Sequence, residues 1–311
     1  KNKQTMCHKV FLLFFALLAS LLVAAQPMRK SIAKNDSTNF KIQTNYLSNY
    51  VYNGRSDSLK APYFYTTATV NFTNGLYASF SLNYLLTPGQ TGYDFSELDL
   101  GYYYYIGEKI SGEVYGAKYF YSSGSNLLSG NISSDIGFTF NYELPFINFH
   151  NSFDVFFSNK ADMQLVPGFE KEIMLNSTNH NILSITPTIY SSFSSLNFYE
   201  STISRRLNGI RNPKIKQPPT AGTLQSSTTV DNKGFKFLSL ELAMPVSYDT
   251  KKWNISLTPT YAIPFNKIST TSVNTSTING ISKKVTINST PYSENNLANI
   301  FFFDIGITYK F

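Results

Sequence analysis

Cysteine is nearly missing from this chain: its 311 residues hold one, Cys7. A disulfide framework is excluded, and so is a metal site built on thiolates. Histidine is almost as scarce. His8 falls in the leader described below, which leaves His150 and His180, too few for a histidine-rich metal site. No metal and no cofactor is therefore expected, and no glycine-rich phosphate loop is present. Charged residues make up 14% of the chain. After residue 25 no apolar run approaches the roughly 20 residues that a membrane-spanning helix requires. What the chain does have is 22 Tyr and 26 Phe, together with abundant Ser, Thr and Asn. Few charges, many aromatics and no helical run describe a β-rich protein with one face of its strands in an apolar medium.

Residues 1–25 read as a secretory signal peptide. Lys1, Lys3 and Lys9 form a basic start, Val10 to Ala25 an apolar run, and Val23-Ala24-Ala25 a small-residue cleavage site before Gln26. Cys7 precedes the run and is not placed to carry a lipid. Residues 26–38 read as a polar periplasmic tail, and 39–311 as a single β domain. Without Lys1, Lys3 and Lys9 the 26 Lys and Arg fall to 23 against 19 Asp and Glu, a net charge of +4. That balance is too mild for a nucleic-acid partner.

From residue 39 onward, period-two alternation predicts twelve strands, at about 40–51, 62–72, 76–85, 94–106, 110–121, 132–143, 146–157, 165–175, 182–194, 235–248, 253–265 and 301–311. Ile136, Phe138, Phe140 and Tyr142 alternate with Asp135, Gly137, Thr139 and Asn141; Leu238, Leu240, Leu242 and Met244 alternate with Ser239 and Glu241. Around Glu113 to Lys118 the facing is ambiguous. Pro187 and Pro259 interrupt two strands and predict bulges. Short connections (73–75, 107–109, 144–145, 177–181, 249–252) alternate with generally longer ones (52–61, 86–93, 122–131, 158–164, 195–234, 266–298). An even set of strands joined in this way predicts a closed antiparallel transmembrane β-barrel with short periplasmic turns and longer extracellular loops. Tyr102 to Tyr105, Tyr142, Tyr248, Trp253, Tyr309 and Phe311 would form one aromatic girdle. Tyr63, Tyr84, Phe95, Tyr121, Phe157, Phe265 and Phe301 would form the other.

The last strand is the most regular. Phe301, Phe303, Ile305, Ile307, Tyr309 and Phe311 share one face, and Phe302, Asp304, Gly306, Thr308 and Lys310 the other. Its terminal aromatic, with apolar residues at alternate positions before it, resembles the carboxyl-terminal signature of bacterial outer-membrane β-barrels. The order of strands, and the segment Asn49-Tyr-Val-Tyr-Asn-Gly-Arg55, resemble porin-type barrels of small single-chain pores. The resemblance implies a Gram-negative outer membrane, lipid and lipopolysaccharide as surroundings, and insertion by the barrel-assembly machinery, which would read Tyr309 and Phe311. It leaves the cargo open, and small polar solutes are what a channel reading expects.

Alternation turns Glu97, Asp99, Asp135, Glu143, Asp154, Glu241 and Asp304 toward the interior, with Lys41 and Lys310 near the periplasmic end. Such a lumen predicts a porin-like channel with a cation preference. The loop 195–234 carries Arg205, Arg206, Arg211, Lys214 and Lys216, and is a candidate gate or a contact for lipopolysaccharide phosphates. Two alternatives stand beside the channel. One is a plugged barrel serving as a subunit of a surface complex. The other is a lipid-acting enzyme, because His150-Asn151-Ser152 is similar in spacing to the His-x-Ser pair of twelve-stranded outer-membrane phospholipases. Phe153-Asp154 replaces the Asn-Gly that follows in those enzymes, and the pair faces inward rather than toward lipid, so no enzyme is expected.

Overall fold

The computed structural model describes residues 37–56, 60–87, 91–122, 125, 132–158, 160–178, 181–195, 234–266 and 298–311 with their side chains, and 222–231, 269–278 and 281–289 as backbone. The leader, most of the polar tail and His180 lie outside the described residues, as do Arg205, Arg206, Arg211, Lys214 and Lys216.

Twelve strands form one closed antiparallel barrel. They are β1 (Asn39–Leu47), β2 (Tyr63–Asn71), β3 (Leu76–Leu85), β4 (Gly92–Ile106), β5 (Ile110–Tyr121), β6 (Ser134–Glu143) and β7 (Asn148–Phe157). Then follow β8 (Ala161–Glu170, resuming as Ile173–Ser177), β9 (Ile182–Ile185 and Thr188–Ser194), β10 (Lys236–Ala243 and Val246–Asp249), β11 (Trp253–Pro264) and β12 (Ile300–Lys310). Each pairs with its neighbour in sequence, and β12 pairs with both β11 and β1. Closure leaves no unpaired edge, the condition for a sheet in hydrocarbon.

The burial pattern is that of a barrel with an apolar outside and a polar inside. Leu100, Val114, Ile136, Phe138, Ile255, Ile305 and Ile307 lie exposed on the outer surface, while Asn45, Thr69, Asn71, Asn83, Asp135, Ser192 and Thr308 are buried. On β12 the alternation predicted for the two faces is realised along its length, with Ile305 and Ile307 exposed and Gly306 and Thr308 buried. The closing seam is held by rings as well as by the ladder. Trp253 packs on Tyr309 (centroids 4.7 Å apart), Tyr309 meets Phe311 edge-on at 4.7 Å, and Phe311 lies 5.1 Å from Phe40. The Phe311 amide also donates to the Phe40 carbonyl at 3.0 Å. Aromatic pairs of this kind contribute about 0.5–1.5 kcal/mol each beyond their burial. Phe311→Ala is therefore expected to lower the fraction of heat-modifiable, folded barrel in outer-membrane preparations, read on semi-native gels. An unchanged fraction would mean that the terminal ring is dispensable for closure.

Several sequence expectations need correction. The eighth strand begins at Ala161, so the connection before it is 158–160 rather than 158–164, and long loops do not strictly alternate with short turns. The stretches 195–234 and 266–298 read as loops, yet they contain strands Gly222–Asp231, Ser269–Ile278 and Ile281–Ser289, which form a separate three-stranded sheet. Their Ser- and Thr-rich composition hides a strand from a hydrophobic period but suits a pleated backbone. Leu238, assigned to the lipid face, is fully buried, because the β9–β10 register shifts at Ser192/Phe193 and turns it inward. Tyr63, Phe95 and Tyr121 belong to the interior rather than to a girdle. Tyr63 is 2% exposed, and Phe95 packs 6.4 Å from it and 5.3 Å from Tyr121.

The bulges expected at Pro187 and Pro259 are not found: pairing keeps its register across both residues, which stand instead at in-register interruptions that form part of a larger feature. Pro187 separates the two halves of β9, Pro245 those of β10, and between the pairs Ala243↔Thr260 and Val246↔Leu257 the β10–β11 ladder lapses beside Pro259. The break in β8 at 171–172 falls on the same line, since the Lys171 amide donates to the Pro187 carbonyl, the Thr186 amide to that of Pro245, and the Met244 amide to that of Pro259. Proline cannot donate to a ladder, so a row of interruptions crosses four adjacent strands.

Candidate functional site: the barrel interior

The interior has two parts. The first is a hairpin that enters from the end of the barrel where the longer loops lie. Val51–Tyr52 pairs with Arg55–Ser56 around Asn53-Gly54, whose φ angles of 51° and 72° fit the tightest hairpin turn. Although it connects β1 and β2, its contacts are with the opposite wall. Asn53 Oδ1 accepts from Gln164 of β8 and from Ser192 of β9, both at 2.5 Å. Gly54 presses on β10, where a Cβ at this position would stand 2.5 Å from Ser239 Cβ. Arg55, 4% exposed, donates from Nη1 to the Leu238 carbonyl (3.2 Å) and from Nη2 to the carbonyls of Asn266 (2.8 Å) and Phe265. The hairpin therefore spans the lumen near one end and is fastened to four strands.

The second part is the wall formed by β4–β7. Its interior side carries Glu97 and Asp99 on β4, Glu113 on β5, Asp135 on β6 and Asp154 on β7. Register places small residues between large ones. Asp99, Ala117 and Asp135 form one row; Tyr77, Gly101, Tyr115, Gly137 and Asp154 form the next. The glycines give the rings room to lie flat. A Cβ on Gly101 would come within 2.5 Å of the Tyr77 ring, and one on Gly137 within 2.7 Å of Tyr115. Stretched over Gly137, the Tyr115 hydroxyl donates to Asp154.

That bond belongs to a pattern. Tyr119 donates to Asp135 (3.0 Å), Tyr65 to Asp304 (2.9 Å), Tyr190 to Glu241 (2.8 Å), and Tyr63 to Asp94. A phenol satisfies a carboxylate oxygen without bringing a positive charge. These five carboxyl groups are thus hydrogen-bonded by partners that bring no positive charge. Among the described residues the ion pair recorded on this surface is Lys310 Nζ to Asp249 at 3.1 Å, at the short-turn end. Lys310 sits directly across from Lys41 on β1, so two lysines meet at the short-turn end, while Arg55 lies in the hairpin at the other.

The predicted acids all face inward, though not as one group. Glu97, Asp99, Asp135 and Asp154 come together on the β4–β7 wall. Asp304 is held apart by Asn45 and Tyr65. Glu143 stands at the short-turn end opposite Asn148, and Glu241 is buried beneath the hairpin beside Ser239 (3.1 Å). Glu113 was missed in the sequence because its outward neighbours on β5 are Gly112, Gly116 and Lys118, which blur the alternation; pairing with Tyr103 and Thr139 fixes its side. Arg55 and Asn53 were missed as interior residues, although Asn-Gly is a hairpin signal. His150 and Ser152 face inward but take different partners: His150 Nδ1 lies 2.5 Å from Asn141 Oδ1, and Ser152 donates to Asp154 at 3.3 Å.

No family model matches the chain, and no curated protein matches it in sequence. Among solved structures the barrel is similar to a KdgM porin (9% identity, TM-score 0.41, covering 88% of this chain and 99% of that one). It is similar also to a NanC porin (12% identity, TM-score 0.42, 88% and 100%) and to the β domain of the Bordetella autotransporter BrkA (12% identity, TM-score 0.39, 89% and 100%). By its own geometry the chain is a closed twelve-stranded barrel, apolar outside and polar within.

Proposed function

We propose that this barrel is an outer-membrane channel for the passive passage of small polar solutes, preferring cations and narrowed by the inward hairpin. In this reading residues 1–25 direct export and the short turns face the periplasm. The observation that carries it is the β4–β7 wall, where Asp135 and Asp154 accept from tyrosine hydroxyls rather than from lysine or arginine. An interior built only to be filled would pair or exclude these charges, since burying unpaired charge costs several kcal/mol. A hydrated path along the wall gives them solvent and makes them attract cations. The hairpin grips β8–β11, which leaves the side of β2–β7 for the path.

Purified protein in planar bilayers tests the proposal. Stepwise conductance is expected, and a reversal potential of the cation-selective sign in a KCl gradient. Silent bilayers containing folded barrel would overturn the channel and favour the plugged barrel, for which the latched hairpin is the supporting feature.

A further inference from the structure

A cavity of about 340 Å³ lies inside the barrel against β1–β4, toward the longer-loop end. Its size falls in the lower part of the range for small-molecule sites, roughly 300–1,000 Å³. Its lining combines two kinds of group. Tyr63, Tyr65 and Phe95 supply ring surface, and Asn83 and Glu97 supply polar ends. Tyr63 and Tyr65 are already tied through their hydroxyls, to Asp94 and Asp304, so what they offer a ligand is their faces.

The two polar groups are unmatched. Asn83 is 8% exposed, and its Nδ2 is buried with no hydrogen-bond partner among the described residues. Leaving a buried donor unsatisfied is unfavourable, and an acceptor oxygen on a ligand removes that cost. The Glu97 carboxylate has no donor or cation among the described residues, and Asp99 and Asp135 are its charged neighbours. It presents carboxyl oxygens beside aromatic faces, and both attract an ammonium group, the rings through their quadrupoles.

We propose that this cavity binds a small organic ammonium compound carrying an acceptor oxygen, the ammonium on Glu97, the oxygen on Asn83 Nδ2 and the apolar skeleton against the rings. The proposal rests on the channel reading for its purpose, since it makes the cavity a solute subsite on the path, but not for its chemistry. An acidic solute would meet the Glu97–Asp99–Asp135 charge, and a neutral one would leave Glu97 unpaired.

Glucosamine in its ammonium form and glucose are suitable probes, because they share a skeleton and its oxygens and differ in the charge. Binding to the detergent-solubilised barrel is measured by calorimetry, and block of the KCl current is measured in bilayers. Glucosamine is expected to bind at least about ten-fold more tightly than glucose, the ratio that one modest charge-assisted hydrogen bond carries. Glu97→Gln should remove that ratio, while Asn83→Ala should weaken both sugars. Equal binding of the two sugars by the parent protein would overturn the proposal without recourse to any variant, as would a ratio that survives Glu97→Gln. Selective binding with silent bilayers would refute the channel and leave the site standing. Conductance without selective binding would do the reverse.

Discussion

Replacing Arg55 with alanine is expected to raise the single-channel conductance and to make the open level unsteady. Arg55 is the part of the hairpin that reaches the far wall through three backbone carbonyls, those of Leu238, Phe265 and Asn266. A single hydrogen bond to a charged group contributes about 1.5–3 kcal/mol. Losing even one therefore raises the released population of the hairpin roughly ten-fold or more. Two contacts by Asn53 remain, from Gln164 and Ser192, so the hairpin should be loosened rather than lost, which gives the unsteadiness. Arg55→Lys supplies a point charge in place of a planar fork and should fall between the two. Heat-modifiable migration of the variant checks that the barrel is intact. An unchanged conductance in an intact barrel would mean that the hairpin does not narrow the path.

The second large effect concerns selectivity. The triple variant Glu97→Gln, Asp99→Asn, Glu113→Gln is expected to lose most of the cation preference seen as a reversal potential, with little change in conductance at high salt. Each charge within about 8 Å of the path is worth about half a kcal/mol at the dielectric constant of water. Three together move cation and anion in opposite directions by about 1.5 kcal/mol each, and so alter the cation-to-anion ratio on the order of a hundred-fold. The measurement belongs at low ionic strength, because screening over roughly 8–10 Å hides the effect in ordinary salt. The amide replacements keep shape and hydrogen bonding, so a fall in selectivity reports charge. If selectivity survives, it arises elsewhere, and the carboxylates only hydrate the wall.

The barrel itself was readable because its outer face is held to one rule. Hydrocarbon contacts every second residue on each strand, so β3, β6, β7 and β12 alternate cleanly, and the boundaries 76–85 and 110–121 coincide with the strands observed. The interior obeys no such rule. There a tyrosine donates to a carboxylate, lies over a glycine or packs on another ring. For that reason position along the strand alone puts Tyr63, Phe95 and Tyr121 in a girdle, and alternation gives Glu113 no side. The hairpin failed for another reason: Asn53-Gly54 announces a turn, but a sequence does not say whether a turn points out of a barrel or into it. That choice is made by Gln164, Ser192 and the carbonyl of Leu238, which stand far away along the chain and meet the hairpin only after closure.

The row of interruptions through Pro187, Pro245 and Pro259 crosses β8–β11, the same staves that Asn53, Gly54 and Arg55 hold from within. The wall lacks part of its lattice at mid-height, and the hairpin ties the same side of the barrel together nearer the longer-loop end. The constriction is then a fixture of the architecture rather than a swinging door. In the channel reading, solutes are admitted by the shape of the space beside the hairpin, and a change in throughput comes from deforming the wall and the hairpin together.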